Sequence, residues 1–178
     1  MKVANEHLIK DLKGKEKAEY RRLAGRTYDE FKEDIKKGHR DERIVIERYA
    51  KFYKSKTGKE LTIVDNGVDN SGEFLDVDKV SHSADFLVNG KPIEVKIIEK
   101  DLFKFRLKLN LLKAYVKEGA SVLIVLGWET DTPKFTILDV DKLKHVIKYG
   151  AKQVSGDWEG KPTVQLYRNS YKWSYLPF

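Results

Sequence analysis

The sequence of 178 residues contains no cysteine, and this absence excludes two kinds of site. Neither disulfide bonds nor thiolate zinc sites can form without cysteine. Histidine is also scarce, and its four residues offer no pair at the spacing of metal ligands: His7, His39, His82 and His145. Any bound metal is therefore expected to be a hard ion held by oxygen atoms, such as Mg²⁺ or Mn²⁺.

Long apolar runs are missing as well. No segment approaches the ~20 apolar residues that a membrane-spanning helix needs. The first residues, 1–6, lead into a charged amphipathic segment instead of the apolar centre of a signal peptide. We therefore expect a cytoplasmic protein with no membrane partner. Its length is sufficient for one well-buried domain.

Positive charge is unevenly distributed along the chain. Residues 1–60 contain 18 Lys and Arg against 12 Asp and Glu, whereas the remaining residues contain 17 against 16. A basic segment attracts polyanions such as nucleic acid. A solvated surface with many i,i+4 ion pairs has the same composition, so charge alone favours neither interpretation.

The most informative segment, 83–98, contains an Asn-Gly turn between two alternating apolar runs. Asn-Gly favours a two-residue hairpin turn, and the resulting register places Asp85 opposite Glu94. Lys96 follows Glu94 by two residues and shares its face. Directly opposed carboxylates are unfavourable, so this arrangement indicates a divalent cation or, more simply, an ion pair with Lys96. The other face is apolar and fixes the register: Ala84, Phe86, Val88, Ile93, Val95 and Ile97.

Residues 4–24 predict one or two short helices, and two further helices are predicted before the hairpin, with a break at Gly38. Thr27 to Glu30 has the spacing of a capping box, which begins the first of these two helices. The second, at about 40–57, carries an apolar stripe at helical spacing. Glu42 lies near the centre of this stripe, whereas Glu47 lies more than about 100° away from it. We expect Glu42 to point toward the core and Glu47 toward solvent.

The residues after the hairpin predict a helix from Asp101 to Gly119 and a buried strand at 120–127. This order implies a right-handed parallel crossover between two strands of one sheet. Lys104 and Lys108 lie on the predicted helix, where they could hold phosphates that flank a reacting one. Solvated helix lysines are the simpler explanation of the same residues.

The predicted elements give an α/β fold with a mixed central β-sheet and flanking helices. We expect a basic helical extension at residues 1–38 and one globular domain at 39–178. Asp76 and Asp78 could reach a metal ion, but aspartates beside turns usually bond to local backbone, and we leave them out of the site. The aromatic C-terminus could stack on bases, although packing is favoured.

The hairpin resembles that of the PD-(D/E)xK nuclease superfamily, whose core is a helix, a hairpin carrying Asp and then Glu-x-Lys, a second helix and a further strand. Asp85, Glu94 and Lys96 match the motif, and Ala84 replaces the usual proline. Residues 38–43 also look like the Gly-x-x-x-Glu-Arg opening of Holliday-junction-resolvase-like members. The resemblance implies a restriction-endonuclease-like core.

What the resemblance implies is a Mg²⁺- or Mn²⁺-dependent endonuclease, similar to small phage or mobile-element enzymes. Asp85, Glu94 and Glu42 would hold the metal together with the Val95 carbonyl, and Glu47 is the alternative helix ligand. Lys96 would contact the attacking water and the phosphate, as general base or as electrostatic stabiliser. DNA is favoured over RNA, and a homodimer would supply the two cuts that a duplex requires.

Two alternatives remain open. RNA-cleaving toxin domains share this fold and have similar hairpins, although they are usually cut from large secreted proteins, and this chain starts with Met1. A non-catalytic nucleic-acid-binding module could use Asp85, Glu94 and Lys96 as a structural ion-pair cluster. Such a module would bind in the presence of a chelator and would hydrolyse nothing.

Overall fold

The computed structural model describes residues 25–66, 83–154 and 160–177. These residues fall into two compact units. Residues 25–40 belong to the first unit, and the other described residues belong to the second. The helices predicted before residue 25, and both Asp76 and Asp78, lie outside the described residues.

The described residues contain three α-helices and nine strands. The helices are α1, Tyr28–Thr57, α2, Leu109–Glu118, and α3, Val140–Tyr149. The strands are β1, Ile63–Asp65; β2, Phe86–Val88; β3, Lys91–Ile98; β4, Lys104–Lys108; β5, Ser121–Leu126; β6, Lys134–Leu138; β7, Ala151–Val154; β8, Pro162–Tyr167; and β9, Ser174–Tyr175. None of these helices is long and apolar enough to cross a membrane.

Six strands form a central sheet in the order β1-β2-β3-β5-β6-β9. Strands β3 and β5 are parallel, and every other neighbouring pair in this sheet is antiparallel. Strands β4, β8 and β7 form a separate antiparallel sheet. The predicted α/β class with a mixed central sheet is therefore confirmed, as is the parallel connection between β3 and β5.

Both faces of the central sheet are covered. Alternate residues of β5 enter different apolar clusters: Leu123 and Val125 pack in one cluster, and Val122, Ile124 and Leu126 pack in the other. The first cluster contains Val45 and Ile46 of α1 together with Phe86, Val88, Ile93 and Val95 of the hairpin. The second contains buried residues of α2, α3, β4 and β8. Charged residues on either face of β3 must therefore lie close to a helix or loop.

The helix predicted to end near Gly38 continues, because α1 runs unbroken through this residue. Its start is as predicted: the Thr27 backbone N–H donates to Glu30 Oε2 at 2.7 Å, and the Glu30 N–H donates to Thr27 Oγ1 at 3.2 Å. Gly38 has ordinary helical backbone, in contrast to Gly58, which has a φ of 71° directly after the helix. A glycine with negative φ costs a helix only about 1 kcal/mol and does not end it.

The helix predicted from Asp101 begins too early. Residues 104–108 form β4, and α2 begins at Leu109. The sequence Lys-Phe-Arg-Leu-Lys alternates polar and apolar residues, which suits a strand, and pairing with β8 satisfies its backbone. Lys104 and Lys108 therefore lie on a strand of the second sheet and not on the predicted helix. The end of α2 is as predicted, with Gly119 in the left-handed conformation at φ 78°.

Candidate metal centre

The hairpin has the predicted turn and register. Asn89 and Gly90 have φ values of 50° and 77°, as a type I′ turn requires. Phe86 pairs with Ile93, Leu87 with Pro92 and Val88 with Lys91. The ladder ends there, and Asp85 lies in a bend directly before β2. Its side chain continues the pairing, because Asp85 Oδ2 accepts a hydrogen bond of 2.8 Å from the Val95 N–H.

Three neighbouring groups fix the backbone around Asp85. The Asn66 N–H donates to the Asp85 carbonyl oxygen, and Asn66 Nδ2 donates to the Ala84 carbonyl oxygen, both at 2.9 Å. Both carboxylate oxygens of Glu118, at the end of α2, accept from the Ala84 N–H at 3.1 Å. These bonds occupy the backbone groups on both sides of the carboxylate-bearing residue, so the position of Asp85 is well defined.

Glu94 is the most buried charged group of the site, with 4% of its surface exposed. It alternates along β3 with Ile93 and Val95 and so points to the face on which α2 packs. Tyr115 of α2 donates its hydroxyl to Glu94 Oε1 at 2.6 Å, and Lys96 forms an ion pair with the same oxygen. The Lys96 side chain as a whole keeps 32% of its surface exposed, whereas its ammonium group is buried beside Glu94.

Glu42 approaches the same place from α1. Its carboxyl group is half-buried and interacts electrostatically with Asp85, Lys96 and Glu94. Among the described residues it has neither a hydrogen bond nor an ion pair. Glu47 is exposed, as its position on the helix predicts. Of the two candidate glutamates, the structure therefore brings only Glu42 to the hairpin carboxylates.

The pKa values express the crowding of negative charge. Burial, followed by repulsion from Asp85, raises the pKa of Glu42 to about 8. Burial, followed by repulsion from Glu94, raises the pKa of Asp85 to about 7. Such shifts are typical of carboxyl groups that share a site with too few compensating cations.

Lys96 and Tyr115 both keep their protons. Burial lowers the pKa of Lys96, but attraction to Glu94, Tyr115 and Asp85 outweighs it and holds the pKa above the ordinary lysine range. Burial raises the pKa of Tyr115, with Glu94 adding to the effect. At neutral pH the group on β3 is therefore an ammonium, and the group on α2 is a phenol that donates its proton in a hydrogen bond.

In the part of the chain that the structure describes, no three His, Asp or Glu side chains are arranged as a formed metal site. The donor set nevertheless suits a hard divalent cation, which prefers carboxylate oxygens. Glu42 offers a half-buried carboxyl group without a bonding partner among the described residues. Asp85 offers a carboxyl group with a raised pKa, one oxygen of which accepts from the Val95 N–H. Residues of this kind fit Mg²⁺ or Mn²⁺.

The other predicted residues are placed as follows. Val95 is buried, and its N–H is bonded to Asp85, so only its carbonyl remains as the predicted ligand atom. Lys104 and Lys108 lie on β4 of the second sheet, whereas Glu94 lies on β3 of the central sheet. Their proposed contact with nucleic acid stays a prediction.

Two positioning residues were missed from the sequence, Tyr115 and Glu118. The sequence predicts that their helix begins at residue 101, whereas it begins at Leu109. The buried residues of the actual helix are Leu109, Leu112 and Tyr115, three residues apart. A tyrosine in such a stripe needs a partner for its hydroxyl, and this signal could have identified Tyr115.

The arrangement thus combines three carboxyl groups, one ammonium and one phenol from α1, the hairpin and α2. Comparisons of this chain with protein-family models, with curated proteins and with solved structures found no match.

Proposed function

We propose that the protein is a metal-dependent endonuclease that hydrolyses phosphodiester bonds, with DNA favoured over RNA as its substrate. The observation that carries this proposal is the meeting of Glu42, Asp85 and Glu94 beside the partly exposed Lys96. Three carboxyl groups from different elements are costly to bring together in a half-buried place. A bound cation would offset the repulsion between these carboxyl groups, and an anionic substrate would bind to the cation and to Lys96.

In the proposed site, Asp85, Glu94 and Glu42 would hold Mg²⁺ or Mn²⁺, and the Val95 carbonyl would complete the ligands from the protein. The chemistry that such an ion supplies is stabilisation of negative charge on the phosphate and a lower pKa for bound water. Glu118 and Asn66 hold the backbone beside Asp85, and Tyr115 orients one oxygen of Glu94.

Lys96 would act through its charge. An ammonium that is already protonated is a poor acceptor for the proton of water but a good partner for a phosphate oxygen. Its ion pair with Glu94 fixes the position of the ammonium group next to the carboxyl groups. We therefore assign Lys96 as an electrostatic stabiliser rather than a general base.

One observation favours a second candidate, a non-catalytic nucleic-acid-binding module. Glu94 receives a hydrogen bond from Tyr115 and an ion pair from Lys96, so this part of the cluster is satisfied without any metal. A structural ion-pair cluster accounts for these two contacts. It gives no use to Glu42, whose carboxyl group has no bonding partner among the described residues.

The deciding experiment incubates the protein with plasmid DNA, single-stranded DNA, a branched DNA junction or transfer RNA, in Mg²⁺, Mn²⁺ or EDTA. The test variant is Asp85→Asn, which keeps an oxygen that can accept from the Val95 N–H. Its matched control is Asp131→Asn, at an exposed aspartate of a loop. We expect cleavage in Mg²⁺, none in EDTA, a loss of about 10³-fold in Asp85→Asn and none in Asp131→Asn.

The other results select between the alternatives. Cleavage of transfer RNA alone would assign the protein to the RNA-cleaving type. Cleavage that persists in EDTA or in Asp85→Asn would exclude the proposed site. Binding that EDTA leaves unchanged, without hydrolysis in either metal, would identify the non-catalytic module.

A further inference from the structure

One side of the second sheet is basic, and its described strands carry no acidic residue on either side. Its strands β4, β7 and β8 contain no Asp or Glu. In β4, Lys104, Arg106 and Lys108 alternate with Phe105 and Leu107 and so share one side of the sheet. Lys104 pairs with Tyr167, and Arg106 pairs with Gln165, so these two residues of β8 lie on the same side. We call this the outer face: Lys104, Arg106, Lys108, Gln165 and Tyr167.

The opposite side of this sheet is committed to the core. Phe105, Val164 and Leu166 are each at most 5% exposed and belong to the apolar cluster around α2 and α3. The outer face is exposed toward Lys104 and Tyr167, whereas Thr163, which pairs with Lys108 on the same side, is fully buried. The end with Lys104 and Tyr167 is therefore the part that a ligand can reach. Lys104 is exposed and has no ion pair among the described residues.

Exposed aromatic rings lie at the end of the outer face. Phe103 is 54% exposed and Tyr167 is 40% exposed, and their ring centroids are 6.0 Å apart. Large aromatic side chains of this kind are usually buried in a small domain. Beside a row of cations, exposed rings provide the combination with which proteins bind unpaired bases, because every base has a face that can stack.

A cavity adjoins the same residues. It has a volume of about 710 Å³, and β8 contributes three lining residues: Gln165 and Tyr167 of the outer face and Leu166 of the opposite side. This volume lies within the usual range of ligand pockets. The remaining polar and aromatic lining comes mainly from α3 and from the segment after β8: Lys142, His145, Tyr149, Tyr171 and Lys172.

The charge and the aromatic side chains of the lining indicate which ligand the cavity suits. No Asp or Glu is found among the described residues that line the cavity, whereas Lys142 and Lys172 supply positive charge. Tyr149 is 64% exposed, and its ring centroid lies 4.7 Å from that of His145. A flat aromatic group that carries negative charge suits these surroundings, and a nucleotide has this composition.

We propose that the outer face and the cavity together bind an unpaired stretch of polynucleotide. Phosphates would lie along Lys104 and Arg106, one base would stack at Phe103 and Tyr167, and another would enter the cavity. The proposal depends on the proposed function only in that the bound strand would be the substrate. It specifies a substrate with a single-stranded part, and its residues are separate from Glu42, Asp85, Glu94 and Lys96.

The test measures binding of the full chain to a fluorescent oligonucleotide in EDTA, by anisotropy. Three probes are compared: about 20 deoxythymidines, the same length of uridines and a blunt duplex of that length, all longer than the roughly 4–16 nucleotides that one binding surface usually covers. We expect both single strands to bind at least about 5-fold more tightly than the duplex, since unpaired bases can stack on the exposed rings and paired bases cannot.

The variants are matched by exposure and type. Tyr167→Ala should weaken single-strand binding about 5-fold or more, whereas Tyr175→Ala, at a 71% exposed tyrosine of the central sheet, should not change it. Lys104→Ala should reduce the dependence of binding on salt by about one counterion, whereas Lys144→Ala on α3 should not. Tyr149→Ala, at the cavity, gives a second aromatic test that does not depend on the sheet.

Several outcomes would overturn the inference. They are tighter binding to the duplex, equal losses in Tyr167→Ala and Tyr175→Ala, or displacement of the strand by AMP at the same concentration as by unlabelled oligonucleotide. Binding in EDTA is independent of cleavage, so the two proposals fail separately. Cleavage without this binding would refute the proposed binding surface. Binding without cleavage would refute the proposed metal site.

Discussion

The two sheets of this protein differ in the sign of the charges that gather at them. At the central sheet, Glu42 of α1 comes close to Asp85 and Glu94, and among the described residues the ammonium that interacts with all three is that of Lys96. The second sheet contains four basic residues in its strands and no acidic ones. Repelling charges persist where a ligand offsets them, so the two sheets indicate ligands of opposite sign: a cation at the first and a polyanion at the second.

Burial separates the two regions as clearly as charge. Glu94 is 4% exposed, so loss of any partner leaves a charged oxygen without solvent. Lys104 and Tyr167 are exposed, and substitution there removes a contact with little effect on folding. Variants of the first region should therefore alter both chemistry and stability, whereas those of the second should alter binding alone.

Of the variants that compare the two regions, Lys96→Gln should have the largest effect. Loss of its charge should lower the cleavage rate by about 10²–10³-fold, because a preorganised charge in a partly buried site stabilises a reacting phosphate strongly. Single-strand binding in EDTA should change less than about 3-fold if the second sheet holds the strand. The measurements are single-turnover cleavage in Mg²⁺ and anisotropy in EDTA.

Lys91→Gln is the control for this variant, since Lys91 is exposed on the same strand. It should retain the full cleavage rate. An equal loss in both variants would show that only the overall charge of β3 matters. A loss of binding as large as the loss of cleavage would show that the carboxylate cluster and the basic sheet are one site.

The hairpin could be predicted from the sequence because its information is local. Asn89-Gly90 determines the turn, and the apolar residues on one face determine the register, so Asp85, Glu94 and Lys96 followed from it. Glu42 followed from helical phase, which is also local. In this part of the molecule, neighbours in the sequence decide the structure.

The second sheet could not be predicted in the same way. Residues 104–108 fit a strand by their alternation, but Phe103, Leu107 and Leu111 are spaced four apart and also fit a helix. The choice depends on pairing with β8, more than 50 residues later in the chain. Because the start of α2 was misplaced, the hydrogen bond of Tyr115 to Glu94 was missed too.

Tyr115→Phe should have the next largest effect. It removes the donor to Glu94 but keeps the packing of the ring, so we expect a loss of about 1–2 kcal/mol in the free energy of unfolding. For a chain of this length, this corresponds to a fall in Tm of about 2–4 °C for each kcal/mol. Cleavage should fall about 10-fold, because Glu94 is less firmly oriented. Urea denaturation and the cleavage assay measure the two changes.

Tyr175→Phe, at an exposed tyrosine of β9, is the matched control and should change neither quantity. The Mg²⁺ concentration for half-maximal cleavage distinguishes orientation of a ligand from simple loss of stability. This concentration should rise in Tyr115→Phe, because metal affinity falls, and stay unchanged in Tyr175→Phe. A variant that loses stability but keeps this concentration would assign Tyr115 to folding alone.

The smallest expected effect concerns the pH dependence of stability, with Glu42→Gln compared to Glu47→Gln. The pKa of Glu42 is about 8 in the folded protein and about 4.3 in an unfolded chain. Between these values the folded state binds more protons than the unfolded state. The stability is therefore greatest below about pH 4.3 and declines as pH rises toward 8.

In EDTA, the fall in Tm from pH 5 to pH 8 should be smaller in Glu42→Gln than in the unmodified protein. The difference should be only about 1–2 °C, because solvent screens part of the repulsion. Glu47→Gln should keep the full slope, since Glu47 is exposed. Equal slopes in all three proteins would place the Glu42 carboxyl group outside the cluster and leave the hairpin without a third ligand.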